Sequence, residues 1–144
     1  MSGQQPLLLP RHVFIDSSGY LALVSPRDRY HAQATEAANR VGRERWHTYT
    51  TNYIIAEAHA LFLTRLGRHH ALNFLEQFRT SATTVFWIEP DDVERAQQII
   101  QQYADKNFSL TDATSFVLME RHRIGMALTT DRNFAQYGFT MLGV

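Results

Sequence analysis

The stretch "HVFIDSSGYLAL", residues 12–23, carries the reading of the fold. A short apolar run ends at Asp16, small residues follow as a turn, and a helical pattern then begins. Strand, turn and helix in so few residues are the opening of a βα unit. The same alternation recurs downstream. Residues 28–42, with "DRYHAQATEAANR", are helix-prone and polar on one side, and Gly42 is the expected terminator. "RWHTYT" supplies a second strand, and Thr51 can cap the helix "NYIIAEAHALFLTRLG", which Gly67 separates from the helix "HHALNFLEQFR". "TTVFWIEP" reads as a third strand stopped by Pro90, and "DDVERAQQIIQQYAD" as a helix with acids in its first turn, where the macrodipole favours them. After the loop "KNFS" comes a helix, then "GMALTT" as a fourth strand and "FTMLG" as a last short one.

Strands alternating with helices predict an α/β fold with a mainly parallel sheet of four to five strands, covered on both faces. The length of 144 residues and the 44% of hydrophobic residues suit one domain over residues 11–144, behind a flexible leader at 1–10. No repeat or linker divides it. There is no cysteine, which excludes disulfides, thiolate metal sites and thiol nucleophiles. No apolar run approaches a membrane span, so a soluble cytoplasmic protein without a membrane partner is expected. Formal net charge is zero, which counts against a protein whose whole surface tracks nucleic acid. Of fourteen basic residues only Lys106 is lysine. Arginine forks suit phosphate, although genomic composition explains the bias equally well.

Chemistry in a parallel sheet collects beyond the carboxyl ends of its strands, near a topological switch point. Asp16 ends the first strand and Asp131 follows the fourth, in "ALTTDRNF". Each alone can be read as a helix or turn cap. Glu57 lies about 60° from Ile54 and about 40° from Leu61 on a helical wheel, which puts it beside the apolar stripe. A carboxylate there needs a partner: a metal, or an arginine such as Arg65 or Arg68. Asp112, in "FSLTDATSF", completes a capping box with Ser109 and shares a face with Phe116 and Met119. Four carboxylates gathered in one cleft repel each other unless a cation compensates. Oxygen ligands alone select a hard ion, Mg²⁺ or Mn²⁺. Such an ion activates water for phosphodiester cleavage.

The segments "VFIDSSGYLAL", "TNYIIAEAHAL", "FSLTDATSF" and "ALTTDRNF" resemble, in order and spacing, the PIN-domain family and most closely its VapC-like toxin ribonucleases. The resemblance implies a three-layer α/β/α sandwich. It makes Asp16, Glu57, Asp112 and Asp131 both the catalytic residues and the metal ligands, with Thr130 or Thr129 as a supporting hydroxyl and Ser17 as a weaker one. Asp105 is read as structural. The resemblance further implies an RNA substrate, an Mg²⁺- or Mn²⁺-dependent endoribonuclease, an antitoxin partner that covers the cleft, and a homodimer.

Other readings remain open. They are a PIN nuclease of RNA processing without an antitoxin, a non-catalytic PIN module binding RNA or protein, and an aspartyl-phosphate phosphatase. The last is disfavoured because Ser18 stands where its second acid belongs. His59, His69 and His70 have poor spacing for chelation and are read as surface or interface residues. Trp46 and Trp87 are read as core or interface, and "RVGRER" as a solvated loop or as a contact to RNA phosphate or to a partner.

Overall fold

The computed structural model describes residues 11–144, so the leader expected at 1–10 lies outside the described residues. The chain runs β1 (His12–Ile15), α1 (Ser17–Val24), α2 (His31–Arg43), β2 (His47–Thr51), α3 (Asn52–Arg65) and α4 (Arg68–Thr80). It continues through β3 (Thr84–Phe86), α5 (Pro90–Gln102), α6 (Leu110–Arg121), β4 (Met126–Leu128), α7 (Asn133–Tyr137) and β5 (Thr140–Leu142). The five strands pair in parallel in the order β3-β2-β1-β4-β5. Order reverses between β1 and β4, so a crevice opens beyond their carboxyl ends.

A parallel sheet must bury both faces, and β1 shows how alternation achieves it. Val13 and Ile15 pack with Val41, Trp46 and Leu128, under α2. Phe14 points the other way, into a larger core with Ile99, Phe116, Met119 and Phe134. Leu21, Ala58, Phe62, Ala71 and Phe74 join α1, α3 and α4 in a third cluster. Helices on both faces make the expected three-layer α/β/α sandwich.

Several local expectations are corrected. No turn separates β1 from α1, because Asp16 is itself the N-cap. Pro90 does not stop β3, which ends at Phe86; it opens α5, where its fixed φ and missing N–H cost nothing. Gly42 does not end α2, which continues to Arg43. The reversal is made instead by Arg45 at φ 55°, with the Trp46 amide bonded to the Val41 carbonyl at 3.0 Å. α6 ends the same way, with Arg123 at φ 56° and Ile124 N–H to Met119 O at 2.8 Å. Both are Schellman turns with arginine in the left-handed position that glycine favours. Replacing Arg123 by glycine is expected to stabilise the protein by about 1 kcal/mol in urea unfolding. Trp87 is 69% exposed, so it is no core residue, whereas Trp46 is buried.

Candidate active site at the strand ends

Asp16 is 4% exposed and leaves β1 with extended backbone. Its Oδ1 accepts the Gly19 amide at 2.9 Å and the Ser18 hydroxyl at 2.8 Å, and its Oδ2 accepts the Thr129 hydroxyl at 2.8 Å. Thr129 follows β4 and its oxygen accepts the Asp131 amide at 2.9 Å, while Ser18 accepts the Thr130 amide at 2.9 Å. The ends of the two strands at the switch point are thus tied together through one carboxylate. Gly19 allows the close approach: a Cβ there would lie 2.2 Å from the Leu128 carbonyl oxygen.

Of the two threonines, Thr129 places its hydroxyl on Asp16, beside that of Ser18, whereas Thr130 contributes only its amide to this network. Thr129→Val would leave an oxygen of Asp16 and the Asp131 amide without their partner. It is expected to lower stability by about 1–3 kcal/mol, read from the denaturant midpoint.

Burial pushes the Asp16 carboxyl up to about 7 despite its donors at Gly19, Thr129 and Ser18, and the charge of Asp131 adds to the rise. Asp131 is half-buried and is also raised, by desolvation and then by Asp112, against the Asn133 amide that lowers it. Asp112 completes the capping box: its Oδ2 accepts the Ser109 amide at 3.1 Å, and Ser109 accepts the Asp112 amide at 3.0 Å. Asn133 joins the last two acids, its side-chain amide donating to Asp112 at 3.0 Å and its backbone amide to Asp131 at 2.9 Å.

Glu57 differs from the expectation in its exposure. It neighbours Ile54 on the wheel, but the buried line of α3 runs Ile54, Ala58 and Phe62, away from Glu57, and Leu61 on its other side is only half-buried. Its carboxylate accepts the Ser17 hydroxyl from α1. That gives Ser17 a definite contact where only a weak role was expected. Neither Arg65 nor Arg68 pairs with it, and none of the four acids is in an ion pair among the described residues. Asp105 is exposed and pairs with its neighbour Lys106 at 3.3 Å.

The four acids fall into two linked pairs, Asp16 with Glu57 through the adjacent Ser17, and Asp131 with Asp112 through Asn133. Asp112 Oδ1 and Asp131 Oδ2 stay outside these hydrogen bonds. Among the described residues, no three acidic or histidine side chains stand close enough to hold one metal ion together. Ser18 and Asn133 escaped the sequence reading, since their contacts are made across the chain or through a turn that no spacing marks.

The profile of the PIN domain matches residues 13–140. The chain is 28% identical over 120 residues to Ribonuclease VapC26 of Mycobacterium tuberculosis, an alignment covering 83% of this chain and 87% of that protein. It is 25% identical over 132 residues to the 23S rRNA-specific endonuclease VapC20 of the same organism, covering 88% and 95%. The crystal structure of Mycobacterium tuberculosis VapC20, described as a sarcin–ricin loop cleaving toxin, matches with a TM-score of 0.80 over 89% of this chain and 96% of that one, at 25% identity. FitAcB from Neisseria gonorrhoeae shares the fold at a TM-score of 0.61 and 15% identity, over 90% of this chain and 96% of that one. With the sheet order, the acids at the switch point and the matched span together, the chain belongs to the PIN-domain family.

Proposed function

We propose that the protein is a divalent-cation-dependent endoribonuclease and the toxin of a toxin–antitoxin pair. The observation that carries this reading is the buried Asp16 at the switch point, raised to about 7 by burial and by Asp131, with no cationic side chain paired to it among the described residues. Kinship with two named ribonucleases supports it. The donor set is all oxygen, which suits Mg²⁺ or Mn²⁺, and Asp16, Asp112, Asp131 and Glu57 would hold the ion. As they stand, no three of them converge among the described residues. When bound, the ion supplies charge neutralisation and an activated water. The protein's own part is positional. Thr129, Ser18 and the Gly19 amide hold Asp16 in one orientation, Asn133 sets Asp131 against Asp112, and Ser17 steadies Glu57.

Purified protein should cleave ribosomal RNA with Mg²⁺ or Mn²⁺ and lose that activity in EDTA. A fragment bearing the sarcin–ricin loop is the first substrate to try, because VapC20 is described as cleaving it. An adjoining small open reading frame should encode a product that suppresses the cleavage. A second reading, a non-catalytic PIN module, is favoured by the unconverged acids alone. Wild-type protein that binds RNA yet leaves it intact with either ion would establish that reading instead.

A further inference from the structure

α1 and α3 lie side by side, and both start at the catalytic edge, capped by Asp16 and Thr51. Where they end, a cavity of about 480 Å³ opens, lined by Ser25, Arg27, Asp28, Arg65 and Leu66. Arg27, Arg29, Arg65 and Arg68 take part in no ion pair among the described residues. Asp28 is the one acid in the lining, and one of its oxygens accepts the Tyr30 amide at 2.9 Å. Ser25 is 8% exposed, and its hydroxyl makes no hydrogen bond to the described residues. Two guanidiniums and a hydroxyl around one concavity are the donors a phosphate needs.

The position matters as much as the chemistry. Eight residues separate Glu57 from Arg65 on α3, roughly 12 Å of helix. The pocket is therefore within reach of an RNA strand lying in the acidic cleft. A chain of zero net charge with carboxylates at its catalytic end has no general attraction for a polyanion, so attraction must be local. The ends of α1 and α3 also present partial negative charge that arginines answer. That structural role would leave RNA affinity unchanged when the charges are removed.

Resting on the ribonuclease reading, we infer that the pocket between the ends of α1 and α3, with Arg27, Arg65 and Ser25, holds a backbone phosphate of the RNA substrate away from the bond that is cut. These residues position the strand and are not catalytic.

The test is the double substitution Arg27→Gln with Arg65→Gln in the full chain. In an Asp16→Asn background, affinity for a short fluorescent single-stranded RNA is read by anisotropy across a salt series. Affinity should fall about tenfold, and the slope of log affinity against log salt should shrink by about 0.7 to 1.4. Lysine at both positions should restore most of the slope, and Arg79→Gln with Arg95→Gln, which removes the same two charges elsewhere, should do little. With Asp16 intact, KM should rise while kcat stays within about twofold. Unchanged affinity and slope, or a loss no greater than that of the Arg79→Gln and Arg95→Gln double variant, would overturn the inference and leave the pocket to an acidic protein partner. Failure of the wild type to cleave would refute the ribonuclease reading separately, because the anisotropy still reads the pocket.

Discussion

Asp16→Asn is expected to reduce RNA cleavage on the order of 10³-fold and, without divalent ions, to make the protein more stable at neutral pH. The two effects have one origin. Asp16 is buried at the meeting of β1 and β4, and burial, followed by the charge of Asp131, holds its carboxyl near 7 instead of near 3.8. Between those values the folded state binds a proton that the unfolded state has released, so stability falls as pH rises through the window. At about 1.4 kcal/mol per unit, the ceiling is about 4 kcal/mol. An asparagine keeps the shape, can still accept from Gly19 and Ser18, and can donate to the Thr129 oxygen. Wild type and variant should therefore unfold at similar denaturant concentrations near pH 4 and separate progressively up to pH 7 or 8, with the variant higher. Asp92 works in the opposite direction. It is buried, yet the Glu89 amide and Arg121 outweigh the burial and hold its carboxyl low, so its contribution is lost on acidification. Comparing the two proteins at each pH cancels that term. A wild type more stable than the variant at pH 7 in EDTA would show that Asp16 is satisfied within the fold and wants no cation.

Gly19→Ala is the second large effect. The added methyl would stand 2.2 Å from the Leu128 carbonyl oxygen and 3.0 Å from its carbon, a clash with backbone that no rotamer relieves. Relief requires α1 to move away from β4. The Gly19 amide would then leave Asp16 Oδ1, and Asp16 would shift from the Thr129 hydroxyl. A loss of about 3 kcal/mol or more is expected, at the upper end of overpacking costs, together with loss of cleavage. Gly42 supplies the control, because a Cβ there meets nothing within 4 Å. Gly42→Ala should be neutral or slightly stabilising, as it lies inside α2. Equal stability of the two alanine variants would contradict the packing described for α1.

What sequence made legible was local. The apolar run before Asp16, the Thr51 cap and the Ser109–Asp112 box each depend on neighbours a few residues apart, and each is present as read. Periodicity carried the order of strands and helices, and the resemblance carried the family. The failures were non-local or depended on which side of a stripe wins. Glu57 was placed beside the buried face by its angles to Ile54 and Leu61; Ile54 is core, but Leu61 is only half covered and Glu57 itself is exposed. Gly42 looked like a terminator, but the chain reverses at Arg45, where the buried Trp46 and its bond to Val41 fix the turn. The five-residue α7 is too short for a periodic signal. Ser18 and Thr129 meet across 111 positions, and no pattern in either segment announces that the two hydroxyls share Asp16.

Calorimetric titration of Mn²⁺ into wild-type protein and into the Asp16→Asn variant tests the central claim most directly. Saturable binding to the wild type that is lost or greatly weakened in the variant is the predicted result. Heats indistinguishable from dilution in the wild type, or equal binding by both proteins, would mean that the acids at the β1–β4 crevice do not form a cation site.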